Sequence, residues 1–146
     1  VTILNSRSSR RIKPTLDTRF HIDYDWWERQ GRDPRVYMLS HLPESQRSYF
    51  AEHGDAEETD WVDPETGEVR RVDALQQAIR RASEDPQYIT QQTPLIEAIF
   101  RVFLANGNKP LSAMELGERI GRQPMTILRT ISGPRVYQGI RPAIDD

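Results

Sequence analysis

Eleven consecutive residues, LIEAIFRVFLA (95–105), constrain more than any other segment what this chain can fold into. Placed on a helix, Leu95, Ile96, Ile99, Phe100, Val102, Phe103 and Leu104 nearly encircle it, and only Glu97 and Arg101 are left to face water. A helix that is apolar on most sides must be covered on most sides. Neighbouring segments then have to pack around it from both directions, which predicts one continuous core and not two independent beads. Thr93 stands where a cap belongs, Pro94 where the first turn begins and Gly107 where the helix stops.

Two shorter helices follow with their own punctuation. Lys109-Pro110-Leu111 reads as a short strand, and Ser112 with Glu115 forms S-x-x-E, the reciprocal capping box. Met114, Leu116 and Ile120 are the apolar positions of that helix, and Gly121 ends it. After the turn Gly121-Arg122-Gln123, Pro124 opens a third helix, PMTILRTIS, closed by Gly133. Its period turns Met125, Ile127, Leu128 and Ile131 inward and Gln123, Thr126, Arg129 and Thr130 outward. Val136, Tyr137 and Ile140 then lie in an extended-looking run with Gly139 inside it.

The stretch ELGERIGRQPMTILRTI resembles the helix-turn-helix of bacterial regulators. Leu116, the small Gly117, Ile120 and the turn residue Gly121 occupy the motif's places, and Ile127 fills its buried position in the second helix. Arg122 stands where the motif usually has an apolar residue, and Thr130 where an aliphatic one is common. The run over 134–142 is similar to the wing of the winged-helix superfamily. The resemblance covers residues 93–142 and implies sequence-specific binding of double-stranded DNA, with a recognition helix over 124–132 in the major groove. Under it, Gln123, Thr126, Arg129 and Thr130, with Arg122 at the turn, would meet base edges and phosphates, and Arg135 and Arg141 would hold the backbone from the wing. A homodimer placing two such helices in successive grooves is implied by analogy. A second reading keeps the same fold as a non-enzymatic adaptor for a protein of the transcription machinery.

Upstream, residues 1–19 are polar, carry SRSSRR and read as a flexible basic arm, whose Arg10 and Arg11, beside Arg7 and Lys13, would follow phosphates or a minor groove. Residues 20–92 form an acidic helical region with one hairpin. Asp23 or Asp25 caps a helix through Trp26, Trp27 and Arg29, ending near Gly31. Asp33-Pro34 starts the next, with Val36, Tyr37, Leu39 and Leu42 as its apolar side. A third helix begins at Pro43, has Gln46, Tyr49, Phe50 and His53 on one face and stops at Gly54. Trp61-Val62 and Val69–Val72 flank DPETG as a bulged hairpin with Gly67 in the left-handed position. Asp73 with Gln76 reads as a capping box for a helix carrying Leu75, Ala78, Ile79 and Ala82. Residues 83–92 read as a linker with Tyr88 and Ile89 tucked in. The expected fold is therefore mainly α with a small β component: a helical N-terminal region with one β-hairpin, packed on a C-terminal winged helix-turn-helix over 93–146.

Charge is uneven. Residues 1–20 carry five basic residues and one acid, 21–92 eight and sixteen, and 93–146 seven and five, which sums to the net −2 of the 146-residue chain. Only the two ends could favour nucleic acid. The absence of cysteine removes a disulfide framework and a thiolate zinc site and suits a reducing cytoplasm. No apolar stretch approaches the roughly 20 residues of a membrane span, and no signal pattern opens the chain. No cofactor loop or Ser-His-Asp set is present, so the expectation is no enzyme, no cofactor and no metal. The one competing constellation is His21, Asp23 and Asp25, which would share a strand face as a metal-dependent nuclease site; helix capping is the simpler use of those aspartates. Of the adjacent Trp26 and Trp27, one ring is expected in the core and the other at a dimer contact, with base stacking or an effector site the alternatives.

Overall fold

A computed structural model describes residues 13–53 and 58–144. In chain order the elements are β1 (Arg19–Ile22), α1 (Tyr24–Arg29), α2 (Pro34–Ser40), α3 (Glu44–His53), β2 (Glu58–Val62), β3 (Val69–Asp73), α4 (Ala74–Ser83), α5 (Leu95–Ala105), β4 (Leu111–Ser112), α6 (Ala113–Ile120), α7 (Pro124–Ile131) and β5 (Ile140–Pro142). Helices dominate, with a two-stranded hairpin and a three-stranded antiparallel sheet beside them.

The sheet is the main departure from expectation. Its order is β4-β1-β5, so the central strand comes from the N-terminal side. Phe20 lies opposite both Leu111 and Pro142, and Ile22 opposite Ile140. Strand β1 begins inside the residues read as a flexible arm. Its alternation is plain once it is paired: Phe20 and Ile22 are fully buried and Arg19 is exposed. Four residues give too short a pattern to declare a strand alone; their partners lie about a hundred residues downstream.

The run over 134–142 is strand only from Ile140 onward, so Val136 and Tyr137 lie outside any β-strand. Gln138 and Gly139 adopt positive φ values of 52° and 77°. The turn is forced by a close approach: a Cβ on Gly139 would sit 2.7 Å from Trp27 Nε1 and 3.0 Å from the Asp23 carbonyl oxygen. Gly139 accepts from the Asp23 N–H at 2.8 Å, and Trp27 Nε1 donates to the Gln138 carbonyl at 3.0 Å. The polypeptide after α7 is thus folded back onto α1 before it enters the sheet.

Helix α5 is the hub. Ala98, Ile99, Phe100, Val102, Phe103 and Leu104 are buried in one cluster with Phe20 and Ile22 of β1, Trp27, Met38, Leu75 and Ile79, and with Leu116, Ile127 and Ile131 of the last two long helices. The continuous core expected from LIEAIFRVFLA is what forms. Its cap differs: Pro94 is the N-cap, and Thr93 instead uses its hydroxyl to accept from Thr90 N–H at 2.9 Å. Arg101, expected in water, turns back over the protein surface. It donates to His41 Nδ1 at 3.0 Å and to the Tyr88 carbonyl at 2.6 Å, while Tyr88 Oη donates to the Arg101 carbonyl at 2.8 Å. The 83–92 segment is accordingly held down, by the hydrogen bonds of Tyr88 and by Ile89 packed on the core.

In the N-terminal helices Asp23 and Asp33 cap as expected, each accepting from the N–H two residues on. In and just after α2, Tyr37, Leu39 and Leu42 pack on the core as expected and Met38 joins them, whereas Val36 is 65% exposed. In α3, Phe50 is buried while Tyr49 is exposed; Gly54 lies outside the described residues. The hairpin pairs Val62 with Val69 and has Gly67 left-handed at φ 73°. Asp73 caps α4 at Leu75 N–H, but its carboxylate engages Arg35 through two short contacts instead of forming a box with Gln76.

Candidate nucleic-acid interface

Helices α6 and α7 are joined by a turn whose geometry each residue enforces. The capping box is complete: Ser112 N–H donates to Glu115 Oε1 at 3.0 Å and Glu115 N–H to Ser112 Oγ at 3.2 Å. That bond from the Ser112 backbone, helped by Arg19 and Arg119, holds the Glu115 carboxyl below the usual carboxylate range. Gly121 reverses the chain at φ 69°. A Cβ on Gly117 would lie 2.8 Å from the Arg122 carbonyl oxygen and 3.0 Å from Pro124 Cγ, so only glycine lets α7 cross this closely. Arg122 is the third fastener. Its Nη2 donates to the carbonyls of Thr93 at 2.8 Å and Gln91 at 3.1 Å, tying the turn to the entry of α5. An apolar residue in that place would bury a side chain; arginine instead satisfies carbonyl groups ahead of α5.

The outer face of α7 consists of Gln123, Met125, Thr126 and Arg129, all exposed, while Ile127, Leu128 and Ile131 are buried. Met125 was expected inward and is 43% exposed; Met114 on α6 is outward as well. In a helix residue 125 neighbours both 128 and 129, so the period alone does not settle its face; here it shares the exposed side with Arg129. Thr130 is half-buried and spends its hydroxyl on the Thr126 carbonyl at 2.8 Å. Among the described residues Gln123 and Arg129 make no side-chain hydrogen bond or ion pair. Between Glu118 and Asp145 the sequence has five arginines and no acid, so this end of the chain is locally basic within a protein of net −2.

The remaining residues expected at the interface are distributed differently. Arg135 is exposed and rests on Tyr137, its guanidinium 5.1 Å from the ring centroid. Arg141 on β5 lies 3.5 Å from the Asp23 carboxylate, which also lies 3.5 Å from Arg29. Its charge is therefore shared with an acid. Arg10 and Arg11 lie outside the described residues.

Asp23 is fully occupied as a cap and as the acid between two arginines, and Asp25 sits in the first turn of α1. No group of three or more His, Asp or Glu side chains converges as a metal site among the described residues. No described helix is long and apolar enough to cross a membrane.

The residue missed by sequence reasoning is Met125, and helical period carries no signal that decides it, because 125 neighbours both the buried 128 and the exposed 129. No protein-family model matches the chain, and neither a curated protein nor a solved structure is significantly similar to it.

Proposed function

We propose that residues 93–142 form a winged helix-turn-helix, completed by β1 in place of a full wing hairpin, and that it binds duplex DNA with α7 in the major groove as part of a transcriptional regulator. The observation that carries this reading is the outer face of α7. Gln123 and Arg129 project without internal partners from a helix fixed by Gly117, Gly121 and Arg122. Arginine suits guanine edges, glutamine suits adenine, and Met125 and the Thr126 methyl suit a thymine methyl. Arg135, exposed although it rests on its near neighbour Tyr137, would hold a phosphate, and Arg122 acts by fixing the turn. A homodimer would present two such helices about one DNA turn, roughly 34 Å, apart.

Fluorescence anisotropy against a pooled random-sequence duplex, followed by selection, tests the reading. The wild type is expected to bind with a steep salt dependence and to enrich a preferred site, and Arg129→Ala to lose about 1–3 kcal/mol on that site with relaxed preference at one position. No binding at low salt overturns the DNA reading. Exposed Met114 and Met125, on adjacent helices, would then favour the second reading, an adaptor that docks a protein of the transcription machinery on this face.

A further inference from the structure

We propose that the open groove between the start of β1, α4, the α5–β4 turn and α6 is a phosphate track that takes the backbone of a nucleic acid. Arg19, Arg80, Lys109 and Arg119 line it, and no carboxylate does among the described residues. These cations come from four separate elements, two of them within the most acidic part of the sequence or at its edge. The fold gathers a charge that no sequence segment displays. Glu115, one turn before Arg119, feels the charges of Arg19 and Arg119, and one of its oxygens is taken by the Ser112 N–H at 3.0 Å. With Arg80 left aside because it is engaged elsewhere, Arg19, Lys109 and Arg119 still outnumber Glu115.

The wall carrying Lys109 is rigid. Asn108, at φ 62°, sutures the turn to β1: Ile22 N–H donates to its Oδ1 at 2.8 Å, and its Nδ2 donates to the Ile22 carbonyl at 2.9 Å. Asn106 clamps the next residue in the same two-way manner, through the N–H and the carbonyl of Lys109, each at 3.1 Å. The lysine stem therefore leaves from a fixed backbone and its ammonium needs little ordering to meet an anion.

The shape selects the class of ligand. The groove holds about 810 Å³ and is lined, besides the cations, by small or aliphatic residues with no aromatic ring. Nothing there can stack on a base, so a free nucleotide would be held by its phosphates alone. A phosphodiester backbone needs only charge and a path, which is what the groove offers.

The proposal rests on the DNA-binding reading but shares no residue with α7, so the two can fail separately. The test compares wild type, Arg129→Ala and the double variant Lys109→Ala/Arg119→Ala, each confirmed folded by circular dichroism, on a random-sequence duplex pool and on the selected site. Lys109 and Arg119 are exposed, and Lys109→Gln serves as a second, milder variant. The double variant should weaken binding to pool and selected site equally and flatten the plot of log affinity against log salt by about two, at roughly 0.9 per lost phosphate contact. Unchanged slope in the double variant overturns the groove and leaves α7 standing. A flattened slope with undisturbed site preference in Arg129→Ala supports the groove and overturns α7 as the reader. Absence of duplex binding by the wild type overturns both.

Discussion

Around Phe100 the rings and charges of α1, α2 and α5 hold one another, whereas on the outer face of α7 the polar side chains leave the fold with nothing to hold. In the first region Tyr37 and Phe100 meet edge to face at 4.8 Å, His41 stacks on Phe100 at 5.6 Å and Trp27 lies 5.3 Å from Tyr37. Arg32 covers Trp27 at 4.6 Å, and Arg101 is bonded to His41 and to Tyr88. In the second, Gln123 and Arg129 have no such partners among the described residues. The contrast teaches how to sort arginines in this protein. Those whose donors end on carbonyls, ring nitrogens or rings fasten elements together, and those that point outward remain available to a ligand.

The largest expected effect lies in the aromatic block. Trp27 is 1% exposed, and its Nε1 proton is the donor for Gln138. Trp27→Ala should cost about 3–5 kcal/mol through the cavity alone, with the Gln138 carbonyl left unpaired besides. Because Gln138 and Gly139 lead directly into β5, the loss should loosen the β1–β5 pairing as well. Urea unfolding followed by far-ultraviolet circular dichroism reads both the midpoint and the slope. A cost below about 1 kcal/mol would mean that the block is not what anchors the chain after α7, and the contrast would lose its first side.

Within the same block His41 gives a pH-dependent test. Arg101 Nε donates to its Nδ1, so the imidazole is neutral with its proton on Nε2, a buried atom without a partner among the described residues. Burial, and then the Arg101 charge, lower its pKa from 6.5 to about 4. In that window the unfolded chain binds the extra proton and the native one does not. The stabilising contribution is therefore complete above pH 6.5, declines as the pH falls towards about 4 and is gone below it. Unfolding midpoints measured across this range should fall more steeply for wild type than for His41→Gln, which does not titrate. Parallel slopes would show that the histidine is solvated and that Arg101 is not locked to it.

Much of this contrast is legible in the sequence, and its gaps have a common cause. Caps are local, and Asp23, Asp33, Ser112 with Glu115, and Gly121 act where the sequence placed them. Gln123, Thr126 and Arg129 were legible as an outward set because helical period is local too. What stayed hidden depends on partners far along the chain. Strand β1 is a strand because of residues 111–112 and 140–142. Arg141 resembles a DNA contact until Asp23, 118 residues earlier, is placed beside it. Arg122 resembles one until its acceptor, the Thr93 carbonyl 29 residues away, is seen. The basic groove is the extreme case, since no two of its cations are neighbours in sequence.

The smallest expected effect is also the sharpest test of the contrast, because it sets two arginines seven positions apart, one in the turn and one on α7, against each other. Arg122→Ala removes the donor to two carbonyls at the entry of α5 and should cost about 1–2 kcal/mol. Arg129→Ala removes only an exposed side chain from the last turn of α7, where it also faces the helix C-terminus, and should change stability by no more than about 0.5 kcal/mol. Urea unfolding of the two variants in the absence of DNA reads the difference directly. If Arg129→Ala proved as destabilising as Arg122→Ala, Arg129 would be a fastener like the others, and its loss of DNA affinity would no longer speak for recognition. If it left stability untouched, any loss of binding in that variant would come from the interface itself.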